Sequence, residues 1–91
     1  MNEAIRKKKP NEIDMCVSAN LAKLRVAKSL TQAQVAESLD ISIFQLQKYE
    51  SGKNRVSASR LYVLAHILGC KLEDFFEGIR IIEEFSTPEE K

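Results

Sequence analysis

Between Ser42 and Glu50 the stretch SIFQLQKYE carries an unusual set of polar and aromatic residues at helical spacing. On a wheel of roughly 100° per residue, Leu46 and Tyr49 turn inward. Phe44, Gln47 and Lys48 form the opposite face, flanked by Ile43 and Gln45. A solvated helix face is normally dominated by Glu and Lys. Amides and a cation instead supply the hydrogen bonds that base-pair edges present, and an apolar group meets the thymine methyl. The same wheel also fits a plainer reading, in which Phe44 is partly core and the glutamines are ordinary surface residues. The wheel alone does not separate the two.

Groups suited to phosphate flank this face. Thr31 opens the preceding helical stretch, TQAQVAESL, whose first turn offers unpaired backbone N–H groups and a positive dipole end, with Gln32 beside it. Lys53, Asn54 and Arg55 follow the Ser42–Glu50 stretch directly. Arg60 sits in the first turn of a later helix, where a cation opposes the dipole; a nearby anion such as a DNA phosphate accounts for it, and so does simple solvation. Arg25 and Glu50 each lie at a helix end among apolar neighbours. They suit one another as buried partners, and the competing reading gives Arg25 to a phosphate.

The elements that must hold these groups follow from apolar spacing. Thr31 to Gly52 reads as two short amphipathic helices across a tight turn, with Val35, Ala36 and Leu39 before it and Leu46 and Tyr49 after it. The turn is Asp40, Ile41 and Ser42, Asp being tolerant of left-handed backbone and Ser a favoured N-cap. An earlier helix begins after Pro10 and repeats Ile13, Val17, Leu21 and Leu24, with Asn11 able to cap it and Lys23, Arg25 and Lys28 near its far end. Gly52 stops the second helix of the pair, and Lys53 to Val56 form a polar loop. A fourth helix, capped by Ser57 or Ser59, carries Leu61, Leu64, Ala65 and Leu68 and ends at Gly69. Leu72, Phe75 and Phe76 begin a short fifth helix, whose stripe continues through Ile79 and Ile82 to Phe85 unless Ile79 to Ile82 form a short strand. The expected fold is all-α, with about five helices around one core.

Ninety-one residues support a single small domain, and 44% apolar with 30% charged residues is ordinary for a soluble protein. Residues 1–10 read as a flexible basic arm with Arg6 to Lys9, residues 11–78 as the folded domain, and residues 79–91 as an acidic tail or, through Ile79, Ile81, Ile82 and Phe85, a dimer-supporting segment. The net charge of +1 conceals an asymmetry: through Leu72 twelve basic residues face six acidic ones, and from Glu73 onward two face seven. A basic body suits a polyanionic partner. No apolar run has the length of a membrane span and no secretory leader is visible, so the expected location is the cytoplasm. Cys16, Cys70 and His66 lack the spacing of a metal site and read as structural, with no disulfide expected.

The residues from Val17 to Gly78 resemble the Xre-type helix-turn-helix regulators, which include phage Cro proteins and phage repressors. The resemblance rests on Leu24, Arg25, Leu30, Thr31, Gln32, Val35, Ala36 and Leu39, then Ile41, Ser42, Leu46, Tyr49, Glu50, Gly52 and Lys53. It continues through Leu61, Leu64, Ala65, Leu68, Gly69, Leu72 and Phe76. A closer likeness is to a bacterial subgroup in which a stretch like FQLQKYESGKNRVSASRLYVLAHILG is followed by FFEG. The resemblance implies a five-helix, lambda-repressor-like domain that binds double-stranded operator DNA as a homodimer, with Ser42 to Glu50 in the major groove. It further implies that Gln32 contacts phosphate, that Ile43, Phe44, Gln45 and Lys48 approach bases or adjacent backbone, and that Arg25 pairs with Glu50. Two features depart from the family pattern. Asp40 stands where Gly is usual, and Ile43 and Phe44 replace polar residues.

The expected function is a non-enzymatic, sequence-specific transcriptional regulator, a repressor by promoter occlusion. Its base-contact residues are Ile43, Phe44, Gln45, Gln47 and Lys48, its phosphate-contact residues Thr31, Gln32, Lys53, Asn54 and Arg55, and its structural ion pair Arg25 with Glu50. No metal, cofactor, small-molecule ligand or nucleophile-base set is evident. The alternative is an antitoxin-like interaction module whose tail binds a partner protein.

Overall fold

The computed structural model describes residues 10–79. They form α1 (Pro10–Ala27), α2 (Gln32–Leu39), α3 (Ile43–Ser51), α4 (Ala58–Leu68) and a one-turn 3-10 helix (Leu72–Phe76). The chain is all-helical among the described residues. α1 packs on α3 and on the 3-10 helix, α2 packs on α3 and α4, and α4 packs on the 3-10 helix. Among these residues no helix is long and apolar enough to cross a membrane.

Each apolar stripe meets the others in one core of Val17, Leu21, Val35, Ala36, Leu39, Leu46, Val56, Leu61, Leu64, Ala65, Leu68 and Phe75. Ile13 and Leu24, the outer members of the α1 stripe, are only partly buried against it. Ser18 is buried beside Val17, and no buried side-chain nitrogen or oxygen among the described residues lacks a hydrogen-bond partner. Val56, expected in a polar loop, belongs to the core. It anchors the α3–α4 connection, which spacing could not show because a lone valine has no period.

Helix ends follow the chemistry of their caps. Thr31, Ser42 and Ser57 each have extended backbone and accept a hydrogen bond from the N–H three residues on, at Gln34, Gln45 and Arg60. α2 ends on Asp40, whose φ of 60° and ψ of 45° place it in the left-handed region. The Asp40 N–H donates to Glu37 O and the Ile41 N–H to Ala36 O, each at 3.0 Å, which is the Schellman pattern. α1 ends the same way on a second non-glycine residue, Ser29, with φ 59°. There the Ser29 N–H donates to Val26 O and the Leu30 N–H to Arg25 O.

The fifth element is a 3-10 turn rather than an α-helix, so the described residues form four α-helices where about five helices were expected. Phe75 is fully buried, and Asn20 on α1 donates to the carbonyls of Phe75 and Glu77 at 2.8 and 3.0 Å. Those acceptors are then occupied by a side chain instead of by a continuing helix, and Gly78 at φ 90° turns the chain away. Ile79 packs half-buried on the core. The basic arm, and the tail beyond Ile79 with Ile81, Ile82 and Phe85, lie outside the described residues.

Candidate nucleic-acid interface

α3 is positioned at both ends. Ser42 Oγ accepts from Gln45 N at 3.0 Å at its start, and Gly52, left-handed at φ 84°, closes it with its N–H on Tyr49 O. Leu46 is fully buried beneath it and Tyr49 and Ile43 are partly buried on the same side. A capped helix with a buried inner stripe has a defined outer face. That face exposes Phe44, Gln47 and Lys48. Phe44 is 70% accessible, an exposure that removes it from the core and from the plainer of the two readings of this helix. Gln45 and Ile43 are half-buried at its edges, Ile43 packing partly against the core, so the five base-contact residues expected from sequence divide into three outward and two flanking.

Arg25 and Glu50 come together from the ends of α1 and α3. Arg25 Nε donates to Glu50 Oε2 at 2.6 Å and Nη2 to Oε1 at 3.1 Å, a bidentate pair. Arg25 Nη1 also donates to Leu30 O at 2.8 Å, closing the α1–α2 connection. The two side chains are 14% and 7% exposed. Each of the three guanidinium nitrogens thus donates within the fold, as the reading of Arg25 and Glu50 as partners expects.

Gln32 joins the same cluster. Its Nε2 donates to Glu50 Oε1 at 3.0 Å, and its Oε1 accepts from Gln47 Nε2 at 3.2 Å. Gln32 therefore spans from the ion pair to the outer face of α3. Thr31 is committed to a capping box: its Oγ1 accepts from Gln34 N at 3.0 Å, and Gln34 Oε1 accepts from Thr31 N at 2.8 Å. What α2 offers outward is consequently its first backbone N–H groups, which helix geometry leaves without an intrahelical partner.

Lys53 is exposed directly after α3. Asn54 is half-buried, and its N–H donates to Lys48 O at 3.1 Å, folding the loop onto the end of α3. Arg55 is exposed and reaches back to α1, where its Nε donates to Asp14 Oδ2 at 2.9 Å. Arg60, half-buried, follows the Ser57 cap.

Two participants escaped the sequence reading. Gln34 had a usable signal, since Thr31-x-x-Gln34 is a capping box by spacing. Asp14 had none, because its partner Arg55 is 41 positions away. Away from this face, Cys70 has its thiol pushed above its usual pKa, first by partial burial and then by the carboxylate of Asp74, which disfavours the reactive thiolate. Among the described residues no group of three His, Cys, Asp or Glu side chains is placed to hold a metal.

Comparison with known proteins agrees with this geometry. Residues 21–75 match the model of the helix-turn-helix family. The chain is 45% identical over 71 residues to an uncharacterised HTH-type transcriptional regulator of Sinorhizobium medicae, covering 78% of this chain and 51% of the relative. It is 40% identical over 78 residues to another of Rickettsia conorii, covering 86% and 60%. The chain thus spans about half the length of the curated relatives it matches. Among solved structures, the clp gene regulator ClgR from C. glutamicum superposes with a TM-score of 0.66 at 28% identity, covering 69% of this chain and 82% of that one. The restriction-modification controller protein C.AhdI from Aeromonas hydrophila superposes at 0.63 with 26% identity, covering 68% and 94%. With α2 and α3 as its helix-turn-helix pair and most of its described residues inside the family match, this chain belongs to the helix-turn-helix family of DNA-binding transcriptional regulators.

Proposed function

We propose that this protein is a sequence-specific repressor that acts in the bacterial cytoplasm as a homodimer, occluding a promoter by binding a pseudo-palindromic operator. α3 enters the major groove with Phe44, Gln47 and Lys48 toward base edges, and Gln45 and Ile43 lie at its flanks. The α2 N-terminus at Thr31 and Gln32, and the Lys53, Asn54 and Arg55 loop, face phosphate. Two copies place their α3 helices about 34 Å apart on one side of the duplex.

The observation that carries this reading is the outward face of α3. It pairs a 70% exposed Phe44 with an exposed amide and an exposed cation, on a helix held rigidly by its caps and by Glu50. A large aromatic left in water has no stabilising role in the isolated fold; against a thymine methyl it has one.

Selection of bound DNA from a random pool tests this reading, with a palindrome of half-sites one helical turn apart as the expected product. Phe44→Ala is expected to change stability by less than about 0.5 kcal/mol, because the side chain is exposed. It is nevertheless expected to weaken the selected site more than random DNA. Equal losses on both would remove Phe44 as a reader. Truncation after Gly78 tests the dimer: loss of both dimer and DNA binding assigns the tail to the interface, whereas retention of both assigns the interface to the folded domain.

A further inference from the structure

We propose that Glu50 sets the polarity of two amides in series, so that Gln47 meets the major groove with its carbonyl oxygen outward and selects adenine. The inference rests on the reading that α3 lies in the major groove.

A carboxylate only accepts hydrogen bonds. The end of Gln32 that lies 3.0 Å from Glu50 Oε1 must therefore be its NH2 group. Its oxygen is then the end that faces Gln47 at 3.2 Å, and Gln47 must answer with its own NH2. Reversing Gln47 alone would set two carbonyl oxygens against each other. Reversing both would set the Gln32 oxygen against a carboxylate that Arg25 holds from two nitrogens. Both alternatives lose a hydrogen bond and add repulsion, so the part-buried ion pair decides which atom the exposed Gln47 presents. Glu50 and Gln32 act here as positioning residues.

Gln47 spends one N–H on Gln32 and keeps its oxygen and its second N–H. That remaining pair is what adenine requires, an acceptor for N6–H and a donor for N7. Guanine offers acceptors at both N7 and O6, so the outward oxygen would face an acceptor. Thymine O4 meets it in the same way, and cytosine uses only the oxygen. A side chain already held in one orientation also loses less conformational freedom on binding, which strengthens the preference.

The test is base selection by wild type, Gln47→Met, Gln32→Met and the double variant. Wild type is expected to select adenine at one position of each half-site. Gln47→Met should reduce that preference by roughly tenfold, the scale of one bidentate contact. Gln32→Met is expected to weaken it at the same position, with the double variant no worse there than Gln47→Met. Selection of guanine or thymine at the Gln47 position, or an unchanged profile in Gln32→Met, would overturn the relay. In the free protein, one Gln47 side-chain amide proton should exchange slowly with solvent and become fast in Gln32→Met. Fast exchange in the wild type overturns the relay without reference to DNA, whereas slow exchange in a chain that selects no sequence overturns the major-groove reading and the adenine preference with it.

Discussion

Removing the guanidinium of Arg25 is expected to cost far more than removing both members of its ion pair. Arg25→Met keeps most of the aliphatic stem but leaves Glu50, 7% exposed, with only Gln32 as a donor among its observed partners, and leaves the Leu30 carbonyl without its Nη1 donor. Breaking a buried pair from one side costs about 3–5 kcal/mol, because the remaining charge stays desolvated. The retained Gln32 hydrogen bond places this site near the lower limit, at ~3 kcal/mol. A domain of this size has a total stability on the order of 4–10 kcal/mol, so the single change removes roughly 30% of it or more. Arg25→Met with Glu50→Leu removes both charges and is expected to lie within about 1 kcal/mol of wild type. Chemical denaturation of wild type, both single variants and the double variant, followed by circular dichroism, closes the cycle with a coupling of ~2 kcal/mol or more. Additive losses, or an Arg25→Met cost under about 1 kcal/mol, would show that the pair is peripheral to the fold.

Three further outcomes are expected. Asp40→Gly relieves a left-handed non-glycine residue, and after the added entropy of the unfolded glycine it should stabilise by about 0.5 kcal/mol, a rise of roughly 2–4 °C in thermal midpoint; a fall in midpoint would show that the aspartate side chain contributes more than its backbone costs. Gly52→Ala is expected to destabilise by ~1–2 kcal/mol, since φ stays near 84° and the added Cβ falls on the Met15 thioether. Truncating Met15 as well would recover only the clash and leave the backbone strain in the measured midpoint. Lys53→Ala should weaken all DNA sequences alike and reduce the salt dependence of binding by about one charge, which titrations across a salt series would measure.

The starts of α2, α3 and α4 and their caps were legible in the sequence because both are local, whereas Asn11, expected to cap the first helix, lies inside α1. Thr31, Ser42 and Ser57 announce helix starts through a side-chain oxygen that reaches a backbone N–H three residues away. The stripes of Val17 and Leu21, of Val35, Ala36 and Leu39, and of Leu61, Leu64 and Leu68 mark buried faces through helical period alone. The outward set on α3 was visible for the same reason, although the wheel could not separate a reader from a partly buried Phe44. Exposure did.

What the sequence determined by itself was thus the succession of helices, the turn at Asp40 and the chemical character of the α3 face. Tertiary structure decided the rest, because it depended on groups distant along the chain. Asn20 and the burial of Phe75 ended the fifth element after one turn. Asp14 claimed Arg55 across the α3–α4 loop. Glu50, reached by Arg25 from one side and Gln32 from the other, joined three helix ends into one network whose outer member is Gln47. Local spacing states which side chains share a face; only packing decides which of their atoms are already engaged.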